Sequence, residues 1–253
     1  MMQTLVATAW RVTPFKTTVR PIARAVRSSV WAPWNWLHTA RLLRILALEY
    51  GHLQSAATLA SIDAAGQPLP WFTYPAIEYL SRLDLSGKSV FEYGCGNSTR
   101  YWAARADDVV SVEHVPEFYE LIKPRLPSHC QLALRRPADV YVASLAEYSA
   151  REGRGGFDVI VIDGHSRVRC SRIAAVHLKP GGMIVLDNAD WFPEAAANLR
   201  GAGLLEVSFT GFAPITDCTS TTSFFFHRAF DFPLRPESAG IGSVPKPRFP
   251  KVP

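Results

Sequence analysis

The stretch Ser89-Val90-Phe91-Glu92-Tyr93-Gly94-Cys95-Gly96-Asn97-Ser98-Thr99 joins an apolar run to a polar, helix-opening one through two glycines. The apolar run predicts a buried strand and the run from about Thr99 a helix. Side-chain-free positions at Gly94 and Gly96 let backbone approach a ligand closely, and the N–H groups that open a helix face polar or anionic groups. About twenty residues on, a second apolar run, Val109-Val110-Ser111-Val112, ends in Glu113. An acid at the carboxyl end of a strand can bind both hydroxyls of a ribose, so the pair of features predicts a nucleoside-like ligand.

An apolar strand that ends in acid-x-Gly-x-Gly, here Glu92-Tyr93-Gly94-Cys95-Gly96, resembles the first motif of the class I S-adenosylmethionine-dependent methyltransferases. A nicotinamide-binding loop has Gly-x-Gly-x-x-Gly, and the last of those positions is Thr99 here. The resemblance covers roughly residues 72 to 227. It implies that Glu92 and the Gly94 and Gly96 backbone, with Ser98 at the start of the helix, line the methionine side of S-adenosylmethionine. It implies that Glu113 binds its ribose and that Asp139 lies near the adenine, with a helix cap as the alternative for Asp139.

The strand and helix signals alternate along the rest of the chain. Helices are expected at 76–83, from 116, and at 140–151, 169–178 and 193–200. Strands are expected at 131–134, 157–163 and 183–187, with Pro180-Gly181-Gly182 as a turn. Two last runs, 204–209 and 221–227, have no long helix between them and predict a hairpin. The expected fold is α/β: a Rossmann-like seven-stranded, mostly parallel sheet with helices on both faces and a C-terminal antiparallel hairpin. Three regions follow: a basic, tryptophan-rich helical extension and linker at 1–70, the donor-binding domain at 71–230, and a proline-rich tail at 231–253 that composition predicts to be disordered.

A second constellation, Phe157-Asp158-Val159-Ile160-Val161-Ile162-Asp163-Gly164-His165 followed by Met183-Ile184-Val185-Leu186-Asp187-Asn188, resembles the metal-dependent O-methyltransferases. Those place an acid after the fourth strand and an Asp-Asn pair after the fifth. The resemblance implies Asp163, Asp187 and Asn188 as ligands of Mg2+, a set of hard oxygens that would lower the pKa of an acceptor hydroxyl. The chain departs from that pattern at Gly164-His165. The metal-free alternative makes Asp163 and His165 the catalytic pair, with the imidazole as base. Without a metal, Asp187-Asn188 suit a strand-end turn and Asp163 a hydrogen bond to the donor's backbone loop. Arg167, Arg169 and Arg172 suit an acidic substrate or a solvated helix face. Trp71, Phe72, Tyr74 and Trp191 wall the pocket or belong to the core. Asp163-Gly164-His165-Ser166 stands where many amino-methylating enzymes carry an Asn/Asp-Pro-Pro-Tyr sequence, which favours oxygen as the acceptor.

At 253 residues and 48% hydrophobic content the chain can bury one sizeable core. Its four cysteines are far apart, which argues against a zinc site or a disulfide framework and for a reducing, cytoplasmic compartment. Arg11, Lys16, Arg20, Arg24, Arg27, Arg41 and Arg44 precede the first acid, Glu49, and more than account for the net charge of +5. The remainder is therefore not basic, and nucleic acid loses support as a partner. Trp10, Trp31, Trp34 and Trp36 among those arginines suit either a packed helical extension or peripheral contact with an anionic membrane. The function expected is methyl transfer from S-adenosylmethionine to an oxygen of a small-molecule or glycan- or lipid-linked acceptor. The alternatives are a nicotinamide-dependent oxidoreductase and a non-catalytic, membrane-associated adapter.

Overall fold

Strand β1 (Ser89–Tyr93) is buried along its whole length because both faces of the sheet are covered, which is why, after Ser89, it reads as an apolar run broken by Glu92. The computed structural model describes residues 36–235, 240–242 and 244. In it β1 pairs in parallel with β2 (Asp108–Glu113) on one side and with β4 (Phe157–Ile162) on the other. Beyond them lie β3 (Cys130–Leu134) and β5 (Leu178–Leu186), also parallel. β7 (Thr219–Phe226) inserts antiparallel between β5 and β6 (Leu205–Phe212), so the order is β3-β2-β1-β4-β5-β7-β6. This is the Rossmann-like seven-stranded sheet with a closing antiparallel pair that the alternation and the resemblance implied.

The period of two sorts the strand residues onto two cores. Val90, Val109, Val159, Val161, Met183 and Val185 face α2 (Tyr74–Ser81) and α3 (Asn97–Ala103), where Phe72 just before α2, Ile77, Leu80 and Trp102 fill that side. Phe91, Tyr93, Val110, Ile160, Ile162 and Ile184 face the other way. There they meet α5 (Ala138–Ala150), α6 (Arg167–Ala174) and α7 (Pro193–Gly201). Pro75 sits in the first turn of α2, as its fixed φ suits. Two further short helices are α1 (His52–Thr58) and α4 (Pro116–Ile122).

Two expectations change. Pro180-Gly181-Gly182 is not a turn before β5 but a bulge inside it: Phe157 pairs with Leu178 and Val159 with Met183, so the register shifts between them. A Cβ on Gly182 would lie 2.5 Å from the Asp158 carbonyl oxygen, which is why a glycine stands at this crossing. The described part of the tail is packed, not disordered. Phe232 is buried against Phe230 and Lys88, Asp84 donates its N–H to the Pro233 carbonyl, and the N–H groups of Ile241 and Gly242 donate to Glu78.

The chain divides into two units, 1–43 and 44–253. Residues 36–43 of the first are helical, while Trp10, Trp31 and Trp34 of the basic arm lie outside the described residues. Among the described residues, no helix is long and apolar enough to cross a membrane.

Candidate active site

Parallel strands deliver their carboxyl ends to one rim, and here that rim carries Glu92, Glu113, Asp163 and Asp187. A cleft of about 500 Å3 opens on it, lined by Gly94, Cys95 and Ser98 after β1 and by Glu113, His114 and Val115 after β2. Asp163, Gly164, His165 and Arg167 after β4 and Asp187 and Asn188 after β5 complete the floor. A second cavity of about 440 Å3, lined by Arg135, Arg136, Pro137 and Ala138, shares His114 and His165 with the first. Both volumes are in the range of small-molecule sites.

The two loop glycines differ in what they require. Gly94 has φ 102°, and a Cβ there would lie 3.2 Å from Gly164 Cα, so the loops after β1 and β4 pack backbone against backbone. Gly164 is bound by the same contact and by the Tyr141 hydroxyl, which would stand 2.0 Å from its Cβ. Gly96 has φ 175°, ordinary extended backbone, and a Cβ there would meet only Ser98 Oγ, at 3.8 Å. Nothing in the protein fills that space, which lies between residues that line the cleft.

Glu92 does not line the cleft. It is fully buried and points to the Trp102 side of the sheet, where it accepts hydrogen bonds from Thr99 Oγ1 at 2.5 Å, Ser111 Oγ at 2.7 Å and Trp102 Nε1 at 3.2 Å. Thr99 Oγ1 in turn accepts the Gly96 N–H at 3.1 Å, so the carboxyl group braces the loop from beneath. Burial pushes its pKa up, in spite of those donors. The expectation that Glu92 touches a ligand directly is corrected by its position on the even face of β1.

Glu113 stands at the tip of β2 and does line the cleft. Its Oε2 accepts the Cys95 N–H at 3.0 Å, and Oε1 accepts the N–H groups of His114 and Val115 at 2.7 and 2.8 Å. The carboxylate thus ties the glycine loop to β2, and an oxygen with a single N–H partner keeps a lone pair for a ligand. His114 Nδ1 lies 3.0 Å from Glu113 Oε1 but is not aligned as a hydrogen bond, and this nitrogen is buried with no hydrogen-bond partner. The His114 ring stacks on His165 at 4.7 Å and 22°. Asp139 does not cap its helix: it is exposed and paired with Arg169 at 2.5 Å.

Arg167 is the residue whose placement decides the rest of the floor. Its side chain is only 12% exposed, and its Nε donates to the Gly164 carbonyl at 3.2 Å. One terminal nitrogen donates to the Asp163 carbonyl and Oδ1, at 2.8 and 2.9 Å. The other donates to Asn188 Oδ1 at 2.7 Å and to the Asp187 carbonyl, and lies 4.0 Å from Asp187 Oδ2. All five N–H donors of a guanidinium are thereby matched by oxygens. Phe192 lies 5.0 Å from the guanidinium carbon. Ser166 and Asn188, which flank this knot, are two of the few non-glycine residues with positive φ, at 56° and 51°.

The expected metal set Asp163, Asp187 and Asn188 is therefore brought together, but around a guanidinium. The residues do not fit a divalent ion while Arg167 is in place, and among the described residues no group of three or more His, Cys, Asp or Glu is positioned to hold one. Asp187 is buried and accepts the Thr222 hydroxyl at 2.6 Å, and burial pushes its carboxyl up to about 6. Asp163 shifts the same way, through burial and the neighbouring Asp187 charge, opposed by the Arg167 guanidinium beside it.

Of the four aromatic residues expected in the pocket wall, Phe72 and Tyr74 are core, while Trp71 and Trp191 line the cleft and are 49% and 62% exposed. Phe118, which the sequence did not single out, joins them. Arg172 pairs with Glu194 on the surface.

No family model matches the chain, and no curated protein matches it in sequence. Solved structures do match. The O-methyltransferase TomG from Streptomyces achromogenes, solved with S-adenosylmethionine, is 17% identical over 59% of this chain and 77% of its own, with a TM-score of 0.48. Spermidine synthase from Thermotoga maritima is 16% identical over 60% of this chain and 57% of its own, with a TM-score of 0.45. The N-methyltransferase NodS from Bradyrhizobium japonicum WM9 is 16% identical over 59% and 92%, with a TM-score of 0.43. The likeness stops at the fold, and the reaction has to come from the residues of the cleft.

Proposed function

We propose that the chain is a methyltransferase that binds S-adenosylmethionine between the Gly94-to-Ser98 loop and Glu113 and methylates an oxygen of a small-molecule acceptor. The observation that carries the reading is the loop itself: Gly94, Cys95 and Ser98 line the cleft beside the Glu113 carboxylate, and a Cβ on Gly96 between them would meet only Ser98 Oγ, at 3.8 Å. In this reading Glu113 Oε2 accepts a ribose hydroxyl, and the nucleobase enters the second cavity against His114 and the 135–138 stretch. Thr99 is buried beneath the loop and hydrogen-bonded to Glu92, which disfavours a nicotinamide fingerprint, where that position is a glycine packed on the strand.

The donor, when bound, supplies an electrophilic methyl group on a sulfonium, so the protein has only to align an acceptor and remove its proton. Asp187 is the base of this reading. It lines the cleft, its carboxyl is poised near the operating pH, and Thr222 fixes its orientation through Oδ1. The acceptor O–H proton passes to Asp187, the new C–O bond forms as the C–S bond breaks, and the thioether leaves. His165 sits at the junction with the second cavity, on the nucleoside side, and Asp163 is held by Arg167. Trp71, Phe118 and Trp191 present exposed rings at the cleft mouth, suited to a planar or apolar acceptor, glycan- or lipid-linked hydroxyls included.

Calorimetric titration with S-adenosylmethionine, S-adenosylhomocysteine and NAD, on the wild type and on Gly96→Val, tests the reading. Binding of the sulfonium pair that weakens in Gly96→Val is the expected result. Binding of NAD alone turns the reading to redox chemistry, and binding of none leaves the adapter.

A further inference from the structure

The ends of β4 and β5 assemble a cage made only of oxygens: the carboxyl groups of Asp163 and Asp187, the amide oxygen of Asn188, and the main-chain carbonyls of Asp163, Gly164 and Asp187. Two carboxylates beside neutral oxygen ligands are the donor set that hard divalent cations take. In this chain a guanidinium stands inside the cage, delivered by the first residue of α6, one helical turn after Asp163. It is not a surface arginine that happens to pass. Its side chain is nearly buried, every N–H is used, Phe192 covers it, and the backbone on both flanks is held in the left-handed region to form the knot.

We infer that Arg167 is the resident cation of this cleft: its guanidinium fills an oxygen cage that would otherwise take a divalent ion, so the cleft works without one and removal of the side chain converts the cage into a divalent-cation site. A guanidinium is permanently charged and planar, and it matches several fixed oxygens at once, which a hydrated metal ion does only by shedding water. Because its donors are all spent, it has none to offer an acceptor, and an acceptor is not chelated here. Arg167 is thus a positioning residue, acting through Asp163, Asp187 and Asn188. The inference does not depend on the identity of the methyl donor.

The test uses the full chain with Mn2+ as the probe, read by the loss of the free-ion electron paramagnetic resonance signal and by thermal unfolding, in the wild type, Arg167→Ala and Arg167→Ala/Asp187→Asn. The wild type is expected to leave the Mn2+ signal and its Tm unchanged. Arg167→Ala, whose unpaired carboxylates lower its Tm without the ion, is expected to take up Mn2+ and to regain roughly 5–10 °C at about 100 times the dissociation constant. The double variant is expected to lose most of that uptake. Stoichiometric Mn2+ binding by the wild type that Asp187→Asn abolishes overturns the inference, as does an Arg167→Ala protein whose Mn2+ signal and Tm stay unmoved by the ion. Donor titration on the same samples reports separately, since a failure of the methyl-donor reading leaves the Mn2+ result intact.

Discussion

Substituting the two loop glycines separates a position required by the fold from one left open for a ligand. An alanine at Gly94 has to hold φ near 102°, a strain of roughly 1–3 kcal/mol for a residue with a side chain. Its Cβ also meets Gly164 Cα at 3.2 Å in a loop pair that is packed backbone to backbone, an overpacking term of about 1–3 kcal/mol. At ~2–4 °C per kcal/mol for a domain of this size, Gly94→Ala should lower Tm by about 5–20 °C. At Gly96 the backbone is extended and the only neighbour of a new Cβ is Ser98 Oγ at 3.8 Å. There the loss of glycine's unfolded-state freedom offsets any crowding, and Tm should stay within a few degrees.

Ligand binding should show the opposite order of severity relative to stability. A valine at Gly96 occupies the open space, and a steric penalty of about 1–3 kcal/mol weakens S-adenosylmethionine by roughly 5–150-fold. Differential scanning fluorimetry on both variants and calorimetric titration on Gly96→Val measure the two effects independently. A Gly96→Val protein with wild-type donor affinity refutes the placement of the donor. A Gly94→Ala protein with unchanged Tm refutes the account of why that glycine is there.

Other variants probe the rest of the rim. Glu113→Gln removes the charge and keeps an acceptor for the His114 and Val115 N–H groups while its NH2 replaces the Oε2 that meets Cys95 and the ribose, and donor affinity should fall about 10–150-fold, as for a lost hydrogen bond to a charged group; calorimetry that finds no change rejects the ribose contact. Glu92→Ala strands the buried Thr99, Ser111 and Trp102 donors at about 1 kcal/mol or more each, so Tm should drop by several degrees, whereas a variant that is fully stable but fails to bind donor would return Glu92 to the ligand. Burial raises Asp187 from 3.8 to about 6, so the folded state holds an extra proton between those values: its stabilisation is complete below about pH 4 and is lost, by roughly 3 kcal/mol, as pH rises through about 6. Asp187→Asn should flatten that slope in denaturant melts and, in a transfer assay, abolish the rise in rate through pH 6 that a carboxylate base imposes. Trp191→Ala should raise KM for the acceptor with donor affinity unchanged, and a donor effect instead would move the acceptor elsewhere.

The sheet was legible because burial on both faces writes itself as unbroken apolar runs, as in Val159-Ile160-Val161-Ile162, and β-branched runs between helix signals leave few topologies. The bulge at Pro180-Gly181-Gly182 was not, because the same residues build a free turn, and only the crossing of Asp158 under Gly182 selects the strand. Glu92 was misread by its distance from the glycines, although strand parity already puts it on the Val90 face, away from Phe91 and Tyr93. The Arg167-to-Asp163 pair is visible as an i, i+4 spacing, but the knot also needs Asp187 and Asn188, twenty residues on, and adjacency of β4 and β5 is a property of the sheet alone.

An acid at the end of each of four strands looks in sequence like a strongly negative site, yet the sheet disposes of each charge differently. Glu92 is met by hydroxyl and indole donors, Glu113 by main-chain N–H groups, and Asp163 and Asp187 share one guanidinium. Main-chain donors carry no net charge and leave the field of the Glu113 carboxylate in place, so that end of the partly desolvated cleft keeps a negative excess, while burial favours a proton on Glu92 and on Asp163. Under the methyl-transfer reading this excess favours a sulfonium over the neutral thioether it becomes. The same field that draws the donor in then weakens on transfer, and release of the product needs no moving part.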